Sequence, residues 1–375
     1  MKLISTAAFA LITMLTSSLP AAEQWIYIAS RGKLPVIYRA SLDLETGKFG
    51  NLEVAADNVQ TGFMDAHPTL SILYAATTES GEGGIPDGGV RAYQIDLKTG
   101  SLVPSGLVST HDSGTTHIEV SPQGNALAVC HYGGDGTTAI RLNKAGELQP
   151  QVSQIKHQGS SVDPKRQTKP HPHGVAFSHD GKYLLVADLG NDHVEVFAVD
   201  KNAGIKEHTY WTAAPGAGPR HVTLHPTKDI VYSINELDST ISVLSLNTKS
   251  GELTEVQTVQ TLPKDYDGKG NTTAEIVVHP SGNFVYGSNR GHNSTAVYSV
   301  DDKTNKLTLI EHEPTQGDHP RFVGMDPTGS IYLAANMNSN NIVSFRVNQK
   351  TGKLESTGNT LEVSRPMCVV FIEKK

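Results

Sequence analysis

The chain has 375 residues and a formal net charge of -7, from 31 Lys and Arg against 38 Asp and Glu. That balance speaks against a nucleic-acid partner, and the longest basic block is only Asp163–Lys169 (DPKRQTK). The two cysteines, Cys130 and Cys368, exclude a disulfide framework, and no Cys-x-x-Cys spacing is present to hold zinc, haem or a redox pair. Both lie in apolar, strand-like runs and are expected to be buried thiols.

From the N-terminus, residues 1–22 have the layout of a signal peptide. Lys2 supplies the charge, Leu3–Leu15 the apolar stretch, and Leu19–Ala22 small residues for cleavage. The expected product is a domain over 23–375, exported to the periplasm or the medium. Nothing after residue 22 reaches the ~18 consecutive apolar residues of a membrane span.

From Trp25 on, one segment recurs about every 50 residues. It is weak at Phe63–Thr78 and His117–Tyr132, and clear at Gly174–Leu189 (GVAFSHDGKYLLVADL), His221–Glu236, Ile276–Arg290 and Phe322–Met337. Each copy reads as a strand, a turn such as His225-Pro or His279-Pro, and a second strand. A third strand with two-residue alternation follows. A turn then leads to a fourth strand. Seven such turns can be counted: Leu44–Gly47, Leu97–Gly100, Asn143–Gly146, Lys201–Gly204, Thr248–Gly251, Asp302–Asn305 and Gln349–Gly352. Gly or Asn stands last because positive φ is expected there.

The chain begins on a second strand, Trp25–Ser30, and ends on an unmatched first strand, Pro366–Ile372. The expected fold is therefore all-β: a seven-bladed β-propeller of four-stranded antiparallel blades, the first blade closed by the C-terminal strand. Closure removes exposed sheet edges.

Register turns the repeat into a candidate site. The start of strand one and the end of strand two share one mouth of the central channel. Six residues before the turn proline (or His179 in its place) stand Gly62, Thr116, His173, Arg220, Ala274 and Arg321. Ten residues after it stand Thr78, Tyr132, Leu189, Glu236, Arg290 and Met337. The ionisable members, His173, Arg220, Arg321, Glu236 and Arg290, come from four adjacent blades. Clustered arginines suit a carboxylate or phosphate. The long connections Glu79–Gly89, Gln151–His171 and Thr261–Thr273 fall on the same end, which favours that face for function.

On Gly218-Pro-Arg-His221, Asn235-Glu-Leu237, His171-Pro-His-Gly174 and Ser288-Asn-Arg290, the chain resembles the lactonase family of seven-bladed propellers. That family includes the propeller-type 6-phosphogluconolactonases and the carboxy-cis,cis-muconate cyclase. The resemblance covers nearly everything from Trp25 on and implies lactone hydrolysis or lactonising cyclisation. It implies catalytic roles for His173, Glu236, Arg220 and Arg290. Arg321, His221, His171, Asn235 and Asn289 are the expected substrate contacts. Glu236 or His173 would be the general base, and the arginines would hold the oxyanion and the anionic substrate. No Gly-x-Ser-x-Gly nucleophile is present. The expected partner is a small lactone or sugar acid, with no cofactor and no required metal. His171, His173, His221 and Asp188 leave an ion open as an alternative. An export route sets a phosphorylated substrate in question. A non-enzymatic propeller that binds an anion or a protein is the competing reading.

Overall fold

The computed structural model describes residues 23–80 and 86–375. The expected signal peptide therefore lies outside the described residues. Among the described residues twenty-eight strands, β1 to β28 in chain order, form seven four-stranded sheets. Every pairing within them is antiparallel. The sheet of the first blade runs β28 (Pro366–Glu373), β1 (Glu23–Ser30), β2 (Ile37–Asp43), β3 (Glu53–Ala56), so the last strand of the chain is the innermost strand of its first blade. The seven-bladed, C-terminally closed ring expected from the sequence is what forms.

Burial follows strand position. The second strands are sealed between neighbouring sheets: all six residues of β13 (Tyr183–Asp188) and of β17 (Ile230–Asn235) are buried. The fourth strands face solvent, and β15 (Ile205–Thr212) is mostly exposed. Apolar faces mesh blade against blade. Ala176, Leu185 and Val196 of the fourth blade pack on Val222, Val231 and Leu244 of the fifth.

Polar staples repeat round the ring. The hydroxyls of Tyr27, Tyr74 and Tyr286 donate to the carbonyls of Gly100, Gly146 and Gly352 in the next blade, at 2.9, 2.6 and 2.8 Å. At the same end the turn histidines are structural. Nδ1 of His67 and of His225 accepts backbone N–H groups of its own turn. Nε2 of His67 and of His279 meets the carbonyl of Gly124 or Gly329 one blade on.

Three readings of the sequence are corrected. In the fourth-blade turn the positive-φ residue is Ala203 (φ 63°), not Gly204, because this turn closes from Asp200 one residue earlier. The connection before the fourth blade starts at 157, since β11 extends over Leu148–Lys156. Within 79–89 the described residues 79–80 and 86–89 are extended and paired, as β5 (Ile72–Ser80) runs against β6 (Pro86–Ile95) out to its end.

Candidate active site

Every first strand carries a register shift at the same place. On β12 (Pro172–Phe177), Pro172 pairs with Asp188 and Gly174 with Ala187, so His173 is the extra, unpaired residue. On β16 (Pro219–Leu224) the extra residue is Arg220, and on β24 (Pro320–Met325) it is Arg321. Gly62, Thr116, Ala274 and Met367 occupy the equivalent shifts in the other blades. A bulge breaks the two-residue alternation and re-aims one side chain. Here seven bulges aim seven residues at one mouth of the channel. Six of them are the positions counted back from the turn proline. A narrow cavity lies there, lined by His173, Arg220, His221 and Arg321 with Arg31, Gly62, Phe63, Thr116 and Met367.

Glu236, just past β17, is the electrostatic centre. Its Oε2 accepts from Arg220 Nε at 2.9 Å and faces Arg290 Nη2 at 2.9 Å. Its Oε1 accepts from Arg166 Nη2 at 2.7 Å. Burial opposes ionisation of Glu236, but Arg290, Arg220 and Arg166 overcome it and hold the carboxyl far below the usual range. Arg220, itself buried, is drawn down to about 10 by desolvation and by Arg290. Its Nη1 donates to the Ala274 carbonyl at 2.5 Å and to His221 Nε2 at 3.2 Å. Nη2 of Arg220 has no hydrogen-bond partner among the described residues.

Beneath Arg220 lies a layer of rings. His221 donates from Nδ1 to Glu275 Oε1 at 2.7 Å, which leaves Nε2 as the acceptor that Arg220 uses. His117 packs on His221 with centroids 4.6 Å apart, and Phe63 packs on His117 at 4.1 Å. His173 sits 5.2 Å from the His221 ring. Burial first, and then Arg220, His221 and Arg321, push His173 well below the ordinary imidazole range. Its Nδ1 is buried without a hydrogen-bond partner among the described residues. The site thus pairs a neutral imidazole with a locked guanidinium. Gly174 makes the close approach possible, because a Cβ there would stand 2.6 Å from the Arg220 carbonyl oxygen.

The other expected contacts divide. His171 lies at the mouth, its ring stacked on Tyr132 at 4.5 Å and its Nδ1 at 2.8 Å from the Tyr132 carbonyl. Asn235 and Asn289 do not face the cavity, and this corrects their expected role. Glu236 and Arg290, the residues that follow them, meet in the ion-pair cluster with Arg220 instead, and strand alternation turns the two asparagines into their blades. Asn235 Nδ2 donates to Thr240 and Ser242, and Asn289 Nδ2 to the Thr261 carbonyl. Asp188 is similarly engaged by His157 and by the backbone of His171 and Gly190. Among the described residues no three His, Cys, Asp or Glu side chains gather as a metal-binding group.

Arg166 was missed by the sequence reading. It rides on the connection 157–171, outside the repeat, so no register locates it. Gln167 anchors that connection through Leu189 and Asp192, and Lys169 through the carbonyls of Gly133 and Gly134. Arg166 also donates to the Tyr132 hydroxyl at 3.2 and 3.1 Å.

A family model described as "Lactonase, 7-bladed beta-propeller" matches residues 25–371, and the chain belongs to this family. It is 31% identical over 345 residues to a 6-phosphogluconolactonase of Bacillus subtilis, covering 92% of this chain and 97% of that protein. A 6-phosphogluconolactonase of Formosa agariphila is 31% identical over 82% of this chain and 86% of its own. Among solved structures, the periplasmic gluconolactonase PpgL of Pseudomonas aeruginosa superposes with a TM-score of 0.86 at 26% identity, covering 94% of this chain and all of that one (100%).

Proposed function

We propose that this chain hydrolyses a sugar or sugar-acid lactone at the mouth formed by blades four to six, with His173 as general base and Arg220 as oxyanion donor. The observation that carries the reading is the pairing of a neutral His173 with an Arg220 whose donors are fixed by Glu236, Ala274 and His221 in one cavity wall. His173 takes a proton from water as the oxygen attacks the lactone carbonyl carbon. Arg220 receives the charge that builds on the carbonyl oxygen. The ring C–O bond then breaks, and the leaving alkoxide takes the proton back from the imidazolium. The product is an open hydroxy acid.

Glu236 is assigned as counter-ion and positioner, not as base. Both of its oxygens are occupied by guanidinium donors, whereas Nδ1 of His173 has no partner among the described residues. Arg290, with Nη2 also donating to the Thr273 carbonyl at 2.5 Å, completes the clamp. The N-terminal segment of residues 1–22 and the likeness to a periplasmic gluconolactonase support an exported enzyme.

The test is a pH-drop assay on glucono-1,5-lactone and 6-phosphoglucono-1,5-lactone against the spontaneous rate. Wild type is expected to accelerate at least one, and His173→Ala to lower kcat by about 10²–10⁴-fold. Arg220→Ala is expected to cost about 10²–10³-fold. No acceleration by wild type on any lactone would favour a binding propeller. Full activity in His173→Ala would remove the base assignment.

A further inference from the structure

Three arginines at the mouth share Glu236, and two others share nothing. Arg31 follows β1, and its guanidinium reaches over the bulge of the second blade, where Gly62 supplies no side chain. A Cβ on Gly62 would lie 3.4 Å from Arg31 Nη2. Arg31 so fills the one empty slot in the ring of channel-facing residues. Arg321 fills the slot of the seventh blade. Among the described residues neither guanidinium makes an ion pair or a side-chain hydrogen bond.

Their surroundings are of the wrong sign for a resting ion pair. Burial, and then Arg220, Arg290 and Arg31, disfavour charge on Arg321, against a weaker pull from Glu236. Burial and Arg365 disfavour it on Arg31. Arg31 also lines a second recess of about 480 Å³ on the rim, together with Lys33, Asn338, Asn340 and Arg365. The backbone N–H of Arg31 donates to the Arg365 carbonyl at 3.0 Å, which ties the two rim segments together. Like charges held close in a partly desolvated place cost stability unless an anion joins them. Guanidiniums are the side chains best shaped to take a phosphate or carboxylate oxygen pair.

Position gives the group a role distinct from Arg220. His173 and Arg220 stand on blades four and five, whereas Arg31 and Arg321 stand on blades one and seven, across the mouth. We infer that Arg31 and Arg321, backed by Lys33 and Arg365, form a second anion subsite that takes a phosphate or carboxylate at the far end of the lactone. The inference rests on the lactonase reading for its substrate. It places the chain with enzymes of charged lactones, not of the neutral sugar lactone.

The experiment compares kcat/KM for 6-phosphoglucono-1,5-lactone, a lactone of glucaric acid and neutral glucono-1,5-lactone. The proteins are wild type, Arg31→Gln, Arg321→Gln and the double variant. Wild type is expected to favour a charged lactone. The charged-to-neutral ratio is expected to fall about tenfold per arginine, mainly through KM. The preferred charged substrate tells phosphate from carboxylate. An unchanged ratio in the double variant overturns the subsite while leaving the lactonase reading intact. If wild type opens none of the three, the lactonase reading fails, and the subsite is judged by calorimetric titration with 6-phosphogluconate. Binding that the double variant loses supports it, and no binding or equal binding overturns it. Relief of repulsion predicts that both variants melt at or above the wild-type temperature. A lower melting temperature in the double variant would show that the arginines serve the fold, and would overturn the subsite too.

Discussion

Glu236, His173 and Glu275 are three buried ionisable groups within one cluster, and their neighbours push them in different directions. Glu236 stays ionised because three guanidiniums outweigh its burial. His173 stays neutral because burial and the same cationic surroundings act together. Glu275 is pushed up to about 7 by burial, against opposing pulls from His117 and Arg220. Glu275 therefore gains charge near neutrality, and its charge steadies His221 and, through it, Arg220. The sign follows directly: kcat/KM should fall as pH drops through about 7, because protonated Glu275 supports the His221 Nδ1–H less well. Glu275→Gln is expected to lower kcat about tenfold, the factor that attends roughly 1.4 kcal/mol of lost positioning. It should also erase the limb near pH 7 in the pH profile. A variant profile that retains that limb would assign it to another group. Residues set by the repeat are legible in the sequence: counting from the turn prolines places His173, Arg220, Arg321, Glu236 and Arg290 together. Glu275 stands one residue beyond the counted position and was passed over. Arg166 and Arg31 come from connections, where no period locates them.

At the scale of the strand, the bulge is what makes counting work. A first strand without it would alternate past the channel, and every second residue would face a neighbouring blade. Because each bulge falls at the same register, sequence spacing alone reports direction. Asn235 and Asn289 show the opposite case, since adjacency in a motif does not survive alternation on a regular strand. Gly174 tests how tightly the bulge is built. Gly174→Ala must move the backbone of Arg220 and His221, and is expected to cost about 1–3 kcal/mol. A lowered Tm and a loss of kcat should appear together, and an unchanged Tm would mean the neighbouring strand yields freely.

Lower on the first strands, Asp65 and Glu119 each accept a backbone N–H of the next blade, from Val120 and Phe177 at 2.7 and 2.8 Å. Burial raises Asp65 to about 6 and Glu119 to about 8. Both are raised carboxyls, so the stability they confer is full below their ordinary range and is lost as pH rises through those values. Thermal melts between pH 5 and 9 should show Tm falling with pH, and Glu119→Gln should flatten the upper part. A variant slope equal to wild type would place the titration elsewhere.

For the whole molecule, the ring is closed by a strand that the chain reaches last. Met367, Cys368 and Val369 of β28 belong to the core cluster that joins the first blade to its neighbours. Ala29 pairs with Cys368 and Ile26 with Phe371, so β1 has no inner partner until the chain is complete. This closure was legible because the repeat left a strand short at one end and over at the other. The rim was less so, since its connections obey no period. Closure also governs the site. Met367 is the bulge residue of the first blade and lines the mouth cavity beside Arg31, so an open ring would leave the cavity without one wall. A chain ending at residue 365 exposes β1 and the flanks of blades two and seven at once. It is expected to lose the cooperative thermal transition, with all lactonase activity, and to aggregate through the bare strand edge. Adding a synthetic peptide of residues 366–375 should restore part of both, because the missing interface is a single strand. If the truncated chain melts cooperatively at the wild-type temperature, closure by β28 is not what holds the ring.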